Sequence, residues 1–255
     1  MKEWDAASYH HRSTPQFAWG MRVLERISLR GDEQVLDAGC GSGRLSAELT
    51  KRLPRGGVVA CDLSENMARA AARTLSAKHP VVCADLVELP FSPAFDLVFS
   101  TATFHWVKDH RRLFENLFRV LKPRGRLEAQ CGGEGNLHRV HLRALTLASQ
   151  PSFLPHFTQW SEPWVFAAPA PTTRCLRDIG FGFARCWLEP APTTFQDAET
   201  YRGFLETVVM RPFLAHLPSP ELRASFLDAL TDAARHDDPP FTLDYHRLNI
   251  TAEKI

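Results

Sequence analysis

The sequence predicts an α/β protein, a mostly parallel sheet with helices on both faces. Three observations carry that expectation. Between Gln34 and Gln130, five short apolar runs alternate with segments of helical periodicity, the pattern of successive β-α-β units. The first run leads directly into Gly39, Gly41 and Gly43, three glycines separated by single residues. Past Cys131 the alternation stops and a proline- and aromatic-rich stretch takes over.

The elements follow in order. "QVLDA" (34–38) reads as a buried strand and "GRLSAELTKRL" (43–53) as a helix, closed by the turn "PRGG". "VVACD" (58–62) is a second strand. Ser64 then caps a helix whose Met67, Ala71 and Leu75 share one face. "VVCAD" (81–85) and "FDLVFST" (95–101) are the third and fourth strands. Asp109 caps an amphipathic helix that turns Leu113, Leu117 and Val120 inward; "KPRG" stops it before a fifth strand, "RLEAQ" (126–130). Beyond it, residues 136–149 read as a helix, 152–173 as a loop, 172–181 as a helix ending at Gly180, and "GFARCWLEP" (182–190) as a strand. Two helices are expected between Asp197 and Asp237, then a final alternating strand over 241–254.

Bulk properties narrow the function. The chain has 255 residues, 44% hydrophobic and 23% charged, with 30 basic against 29 acidic side chains and a net charge of +1. That balance provides no electrostatic footprint for nucleic acid or an anionic membrane. No apolar run approaches the roughly 18 residues that a membrane span needs, and "MKEWDAASYHHRS" lacks the apolar stretch of a signal peptide. The expected setting is cytoplasmic. The six cysteines form no CxxC pair, so they read as reduced apolar residues and not as zinc ligands.

The glycine run excludes two cofactor classes. A dinucleotide fingerprint needs a third glycine where Arg44 stands, and a phosphate-binding loop needs a Gly-Lys-Ser/Thr that does not follow. What remains is Asp37-x-Gly39-x-Gly41-x-Gly43 at the start of a helix, a backbone free to press against a ligand. Asp62 ends the second strand about 20 residues on, where an acid can accept hydrogen bonds from a ribose diol. Asp85, followed by Leu86, ends the third strand, where an acid with an apolar neighbour suits an adenine edge and face.

Together "VLDAGCGSGRLS", "VVACDLSENM", "CADLVELPF", "FDLVFSTATFHWV" and "LKPRGRL" resemble, in order and spacing, the motifs of class I S-adenosyl-L-methionine-dependent methyltransferases. The resemblance covers Gln34 to Gln130. It implies a Rossmann-like seven-stranded sheet of order 3-2-1-4-5-7-6, its last strand antiparallel, and S-adenosyl-L-methionine as cofactor. It places Gly39, Gly41 and Gly43 around the methionine part and ribose, with Asp37 orienting the loop or touching the ligand. Asp62 would take the ribose hydroxyls, Leu63 and Met67 would touch adenine, Asp85 and Leu86 would hold its edge, and Thr101 would lie near the sulfonium.

"WDAASYHHRSTPQFAWG" and "TFHWVKDHRRLF" further resemble the trans-aconitate, malonyl-carrier-protein and juvenile hormone acid methyltransferases, all of which methylate a carboxylate. This implies a cap segment at 1–30, a methyltransferase core at 31–190, a helical insertion at 191–240 forming part of the substrate pocket, and a final core strand at 241–255. A carboxylate is ionised at neutral pH and needs no general base; the protein must orient it in line with the sulfonium and exclude water. Gln16 and Trp106 are neutral donors fit to orient it. His105 could donate as well, or act as base if the nucleophile is a phenol or amine. Tyr9 could shield the sulfonium, and Arg211 could bind a second carboxylate or a carrier phosphate. The expected partner is thus a small molecule, free or as a carrier-bound acyl acid, met by a monomer or homodimer. Methyl transfer to carbon, nitrogen or a phenol, or cofactor binding without catalysis, are the competing readings.

Overall fold

The computed structural model describes residues 14–255. In chain order the elements are α1 (Thr14–Glu25), β1 (Gln34–Ala38), α2 (Arg44–Lys51), β2 (Gly57–Asp62), α3 (Glu65–Thr74), β3 (Val81–Cys83), β4 (Phe95–Thr101), α4 (His110–Val120) and β5 (Leu121–Gly132). There follow α5 (His138–Ala148), α6 (Pro169–Ile179), β6 (Phe181–Pro190), β7 (Thr193–Thr194), α7 (Ala198–Phe204), α8 (Arg211–Leu214), α9 (Pro220–Ala234), β8 (Thr242–Leu243) and β9 (His246–Lys254). The described residues divide into two compact units: 14–134 with 164–189 and 247–255, and 135–163 with 190–246.

The first unit holds a seven-stranded sheet of order β3-β2-β1-β4-β5-β9-β6. β1 pairs in parallel with both β2 and β4, β4 with β5, and β9 runs antiparallel to β5. This is the expected topology. The middle of each central strand is apolar because both faces are covered. On one face Val35, Val58, Leu97 and Phe99 pack with Val23, Leu24 and Leu49 of α1 and α2. On the other, Leu36, Val98 and Leu127 meet Leu113, Phe114, Leu117 and Val120 of α4. Each such side chain contributes roughly 1.5–3 kcal/mol on burial. Ser64 and Asp109 cap α3 and α4 as the sequence implies, accepting from the backbone N–H of Met67 and Arg112 at 3.3 and 2.9 Å.

Several elements differ from expectation: the third strand stops at Cys83, and a short third helix, α8, stands between the two expected after Asp197. β5 begins at Leu121, because "LKPRG" pairs back onto β4 at Phe95 through a register shift. α6 starts at Pro169, inside the expected loop, since proline is tolerated in a helix's first turn. The final strand is interrupted: β8 pairs with β7, and only from His246 does the chain join the main sheet.

The second unit has its own aromatic core. Trp160 stacks on Phe213 with centroids 4.2 Å apart, and Phe153 meets Phe226 edge-on at 5.2 Å. Its charged fastening is Asp237, whose side chain is 3% exposed. The Arg143 guanidinium donates to both its oxygens, at 2.7 and 3.0 Å, and Arg139 lies 3.5 Å away. Asp244 accepts the Arg139 backbone N–H at 3.0 Å. These bonds tie α5 to the segment after α9 across about a hundred residues of sequence. Asp237→Ala leaves two guanidinium groups without this partner and is expected to cost about 2–3 kcal/mol, less than a fully buried pair because both arginines keep some water. Asp237→Asn, retaining one acceptor, should cost less. A urea titration that gives Asp237→Ala the wild-type midpoint would refute this.

Candidate active site

The glycine loop is closed on β2 by backbone hydrogen bonds. The N–H groups of Gly39 and Cys40 both donate to the Cys61 carbonyl, at 2.8 and 2.9 Å. Gly39 has φ +83°, and a Cβ there would collide with the side chain of Thr103, which follows β4. The Thr103 hydroxyl reaches back to the Gly39 carbonyl at 3.2 Å. Glycine at 39 is thus required by conformation and by contact. Gly41 has φ +55°, and a Cβ there would point into open space. Its N–H donates to Asp62 Oδ2 at 2.8 Å, while the Ser64 N–H donates to Oδ1 at 2.9 Å. The Asp62 carboxylate is therefore fixed at both oxygens before any ligand arrives.

A cavity of about 640 Å³ opens beside this loop. Gly39, Gly41 and Asp62 form one wall. Leu63, 55% exposed, and the buried Met67 supply an apolar face. Asp85 and Leu86 sit just past the third strand, with Asp85 Oδ1 accepting the Val87 N–H at 3.1 Å. Thr101 and Trp106 line the β4 side. The sequence motifs thus converge on one concavity at the carboxyl edge of the sheet. A planar base, a ribose diol and a compact polar tail fit this lining: apolar walls, carboxylates at Asp62 and Asp85 held by backbone N–H groups, and a glycine whose missing Cβ leaves the approach open.

Three expected site residues stand behind the wall. Gly43 (φ +81°) precedes α2, and a Cβ there would press on Ala71 of α3 at 3.0–3.1 Å, so glycine lets the two helices approach. Asp37 is buried and accepts the Ser46 hydroxyl at 2.5 Å. Burial pushes its carboxyl up to about 7; the Ser46 bond opposes this and the Asp62 charge adds to it. His105 lies in the single turn Phe104–Trp106, stacked on Phe166 at 5.9 Å. Its Nδ1 accepts the Gly132 N–H at 3.3 Å, so in the neutral ring the proton sits on Nε2.

Gln16 lies on α1, its Oε1 buried without a hydrogen-bond partner among the described residues. Arg211 begins α8 in the second unit, and Tyr9 falls outside the described residues. The sequence missed Thr103, whose contact with Gly39 joins residues 64 apart. The aromatic residues of the stretch 152–173 divide between two places: Trp164 and Phe166 lie in the first unit, Phe153, Phe157 and Trp160 in the second. Trp164 packs on Trp106 at 5.7 Å, whereas the last three belong to the second unit's core.

Residues 36–129 match the model of a methyltransferase domain. The chain is 31% identical over 272 residues to a trans-aconitate 2-methyltransferase from Methylobacterium nodulans, covering 100% of this chain and 99% of that one. It is 36% identical over 168 residues to a malonyl-[acyl-carrier protein] O-methyltransferase from Herminiimonas arsenicoxydans, covering 65% and 59%. Among solved structures, a Haemonchus contortus phosphoethanolamine N-methyltransferase 2, solved with S-adenosylhomocysteine, superposes with a TM-score of 0.62 at 21% identity, covering 98% of this chain and 56% of that one. At that identity the likeness is one of fold.

The raised Asp37 carboxyl has a sign that can be checked. Between about pH 4 and 7 the folded state holds a proton there that the unfolded state has released, so Asp37 lowers stability as pH rises to about 7. Asp37→Asn cannot ionise. Its stability relative to wild type should climb over that interval and level off above it. Parallel stability curves for the two proteins from pH 4 to 8 would exclude a buried, proton-holding Asp37.

Proposed function

The chain belongs to the class I S-adenosyl-L-methionine-dependent methyltransferases, and from that premise we propose that it methylates a carboxylate oxygen of a small-molecule acid. One observation carries the choice of acceptor. The Nδ1 of His105 already accepts from the Gly132 backbone, so its other nitrogen bears the proton and cannot take one. The opposite tautomer would set an N–H against an N–H. A phenol or amine acceptor needs a base, and a carboxylate does not. The relatives named for acid substrates support the same reading.

In this reading Asp62, held by Gly41 and Ser64, takes the ribose hydroxyls with its remaining lone pairs. Leu63 and Met67 cover adenine, and Asp85 with Leu86 holds its edge. Gly39 and Gly41 let the backbone approach the ligand, while Asp37 and Gly43 brace the loop from behind. Thr101 stands at the sulfonium end. When bound, the cofactor supplies a methyl group on a positively charged sulfur, open to in-line displacement. The Trp106 indole N–H and the Gln16 amide orient the acid without neutralising its charge, and the aromatic pair Trp106–Trp164 excludes water.

Release of S-adenosylhomocysteine across a panel of di- and tricarboxylates, acyl acids and acyl-carrier thioesters should show turnover on at least one acid. Activity confined to phenols or amines would overturn the carboxylate assignment. Asp62→Ala should weaken S-adenosyl-L-methionine binding at least tenfold by calorimetry, through loss of charge-assisted hydrogen bonds. His105→Gln should keep kcat within about tenfold; a loss nearer a thousandfold would restore His105 as a base.

A further inference from the structure

The sheet face beneath α1 carries an unusual polar layer where β5 and β9 meet. Gln130 and Asn249 are opposed in register, with Asn249 fully buried and Gln130 5% exposed. The Arg26 guanidinium donates to Asn249 Oδ1 at 2.7 Å. Arginine only donates, so that atom must be the amide oxygen. Gln130 therefore has to present its Nε2 to the same oxygen, which it does at 2.8 Å. This relay leaves Gln130 Oε1 turned away, buried and without a hydrogen-bond partner among the described residues.

That position adjoins the cofactor cavity. Gln130 pairs in register with Thr101, a cavity residue, and paired residues on adjacent strands project from the same face about 4.8 Å apart. α1 packs over this edge of the sheet. It brings a second buried, unsatisfied acceptor, Gln16 Oε1. One turn further along α1, Trp19 lies under the Arg247 guanidinium at 4.7 Å, and Arg247 is 3% exposed at the carboxyl end of the β5–β9 pair. Two acceptors beside a fixed positive charge suit an anion that also bears a donor. An unsatisfied buried carbonyl is costly, and a ligand that supplies the donor removes that cost.

We propose that Gln130 Oε1 binds a hydroxyl or N–H group carried by the methyl acceptor, making Gln130 a specificity-determining residue for acids with a hydrogen-bond donor beside the carboxylate. This rests on the carboxylate reading above. Succinate, malate and aspartate form a matched set: the same two carboxylates with no donor, a hydroxyl, or an ammonium group. Each is titrated calorimetrically into protein saturated with S-adenosylhomocysteine, and kcat/KM is measured separately by S-adenosylhomocysteine release. Wild type should favour malate or aspartate over succinate by about 10- to 100-fold; which of the two wins identifies the donor. Gln130→Met, close in shape but lacking the acceptor, should reduce the preference to within about threefold and leave S-adenosylhomocysteine affinity unchanged. If that variant fails to melt cooperatively, Gln130→Asn withdraws the oxygen by one methylene and should act in the same direction.

The proposal is overturned if wild type shows no preference, if none of the three acids binds, or if Gln130→Met keeps the preference. It is also overturned if the variant weakens S-adenosylhomocysteine instead, because Gln130 would then serve the cofactor. Binding preference without methyl transfer to any acid would refute the carboxylate reading and leave Gln130 its role. Turnover without preference would do the reverse.

Discussion

The site depends on a closed circuit of hydrogen bonds between the ends of β1 and β2. Two loop N–H groups converge on the Cys61 carbonyl, and the neighbouring Asp62 carboxylate returns the connection by accepting from Gly41 and Ser64. The loop has left-handed residues at 39, 41 and 43 that few side chains tolerate. It holds that shape because its amides are satisfied locally. The same bonds aim a negative charge into the cavity. One set of atoms thus fixes both the loop's course and the direction of this carboxylate, so an acid aimed into the cavity is held in place without a ligand.

The seam of β5 and β9 follows another logic. Around Gln130, Asn249, Arg26 and Glu189, polar groups are buried beneath a helix where an apolar layer would pack with less cost. Such a network fixes which atom each amide shows, since Arg26 can only donate and every later choice follows from that. The cofactor side is thus ordered by backbone, the far side by side chains. Backbone geometry changes little with sequence, whereas a side-chain relay can be rewired by one substitution. That division suits a fold whose cofactor is constant and whose acceptors vary.

Much of this was legible in the sequence. The strands from Gln34 to Gln130 announce themselves as short apolar runs between helical segments, the first three of them ended by a glycine or an acid. Ser64 and Asp109 could be placed because capping is local chemistry. What escaped was non-local. Thr103 matters only because it touches a glycine 64 positions earlier. Gly43 and Asp37 share a motif with Gly41, yet face a neighbouring helix and Ser46 while Gly41 faces the cavity; spacing cannot distinguish the front of a loop from its back. Nothing in the aromatic stretch after Cys131 marks where the chain passes from one unit to the other. The split of the last strand at Asp244 and Tyr245 was likewise hidden inside an unbroken alternating pattern.

The contact between Gly39 and Thr103 has a consequence for how such a protein can change. The residue after β1 can be nothing larger than glycine while a branched side chain fills position 103, and the hydroxyl there bridges the Gly39 carbonyl of one loop and the Thr101 carbonyl of its own strand. The two loops form one mechanical part, though 64 residues separate them in the chain. Exchanging the β4 loop for that of a relative, in order to import another acceptor preference, would graft cleanly only if the donor loop carries a side chain of matching size and reach. In directed evolution the pair should behave as one heritable trait: recombination breakpoints between β1 and β4 would be penalised even where every contact to the acceptor is preserved.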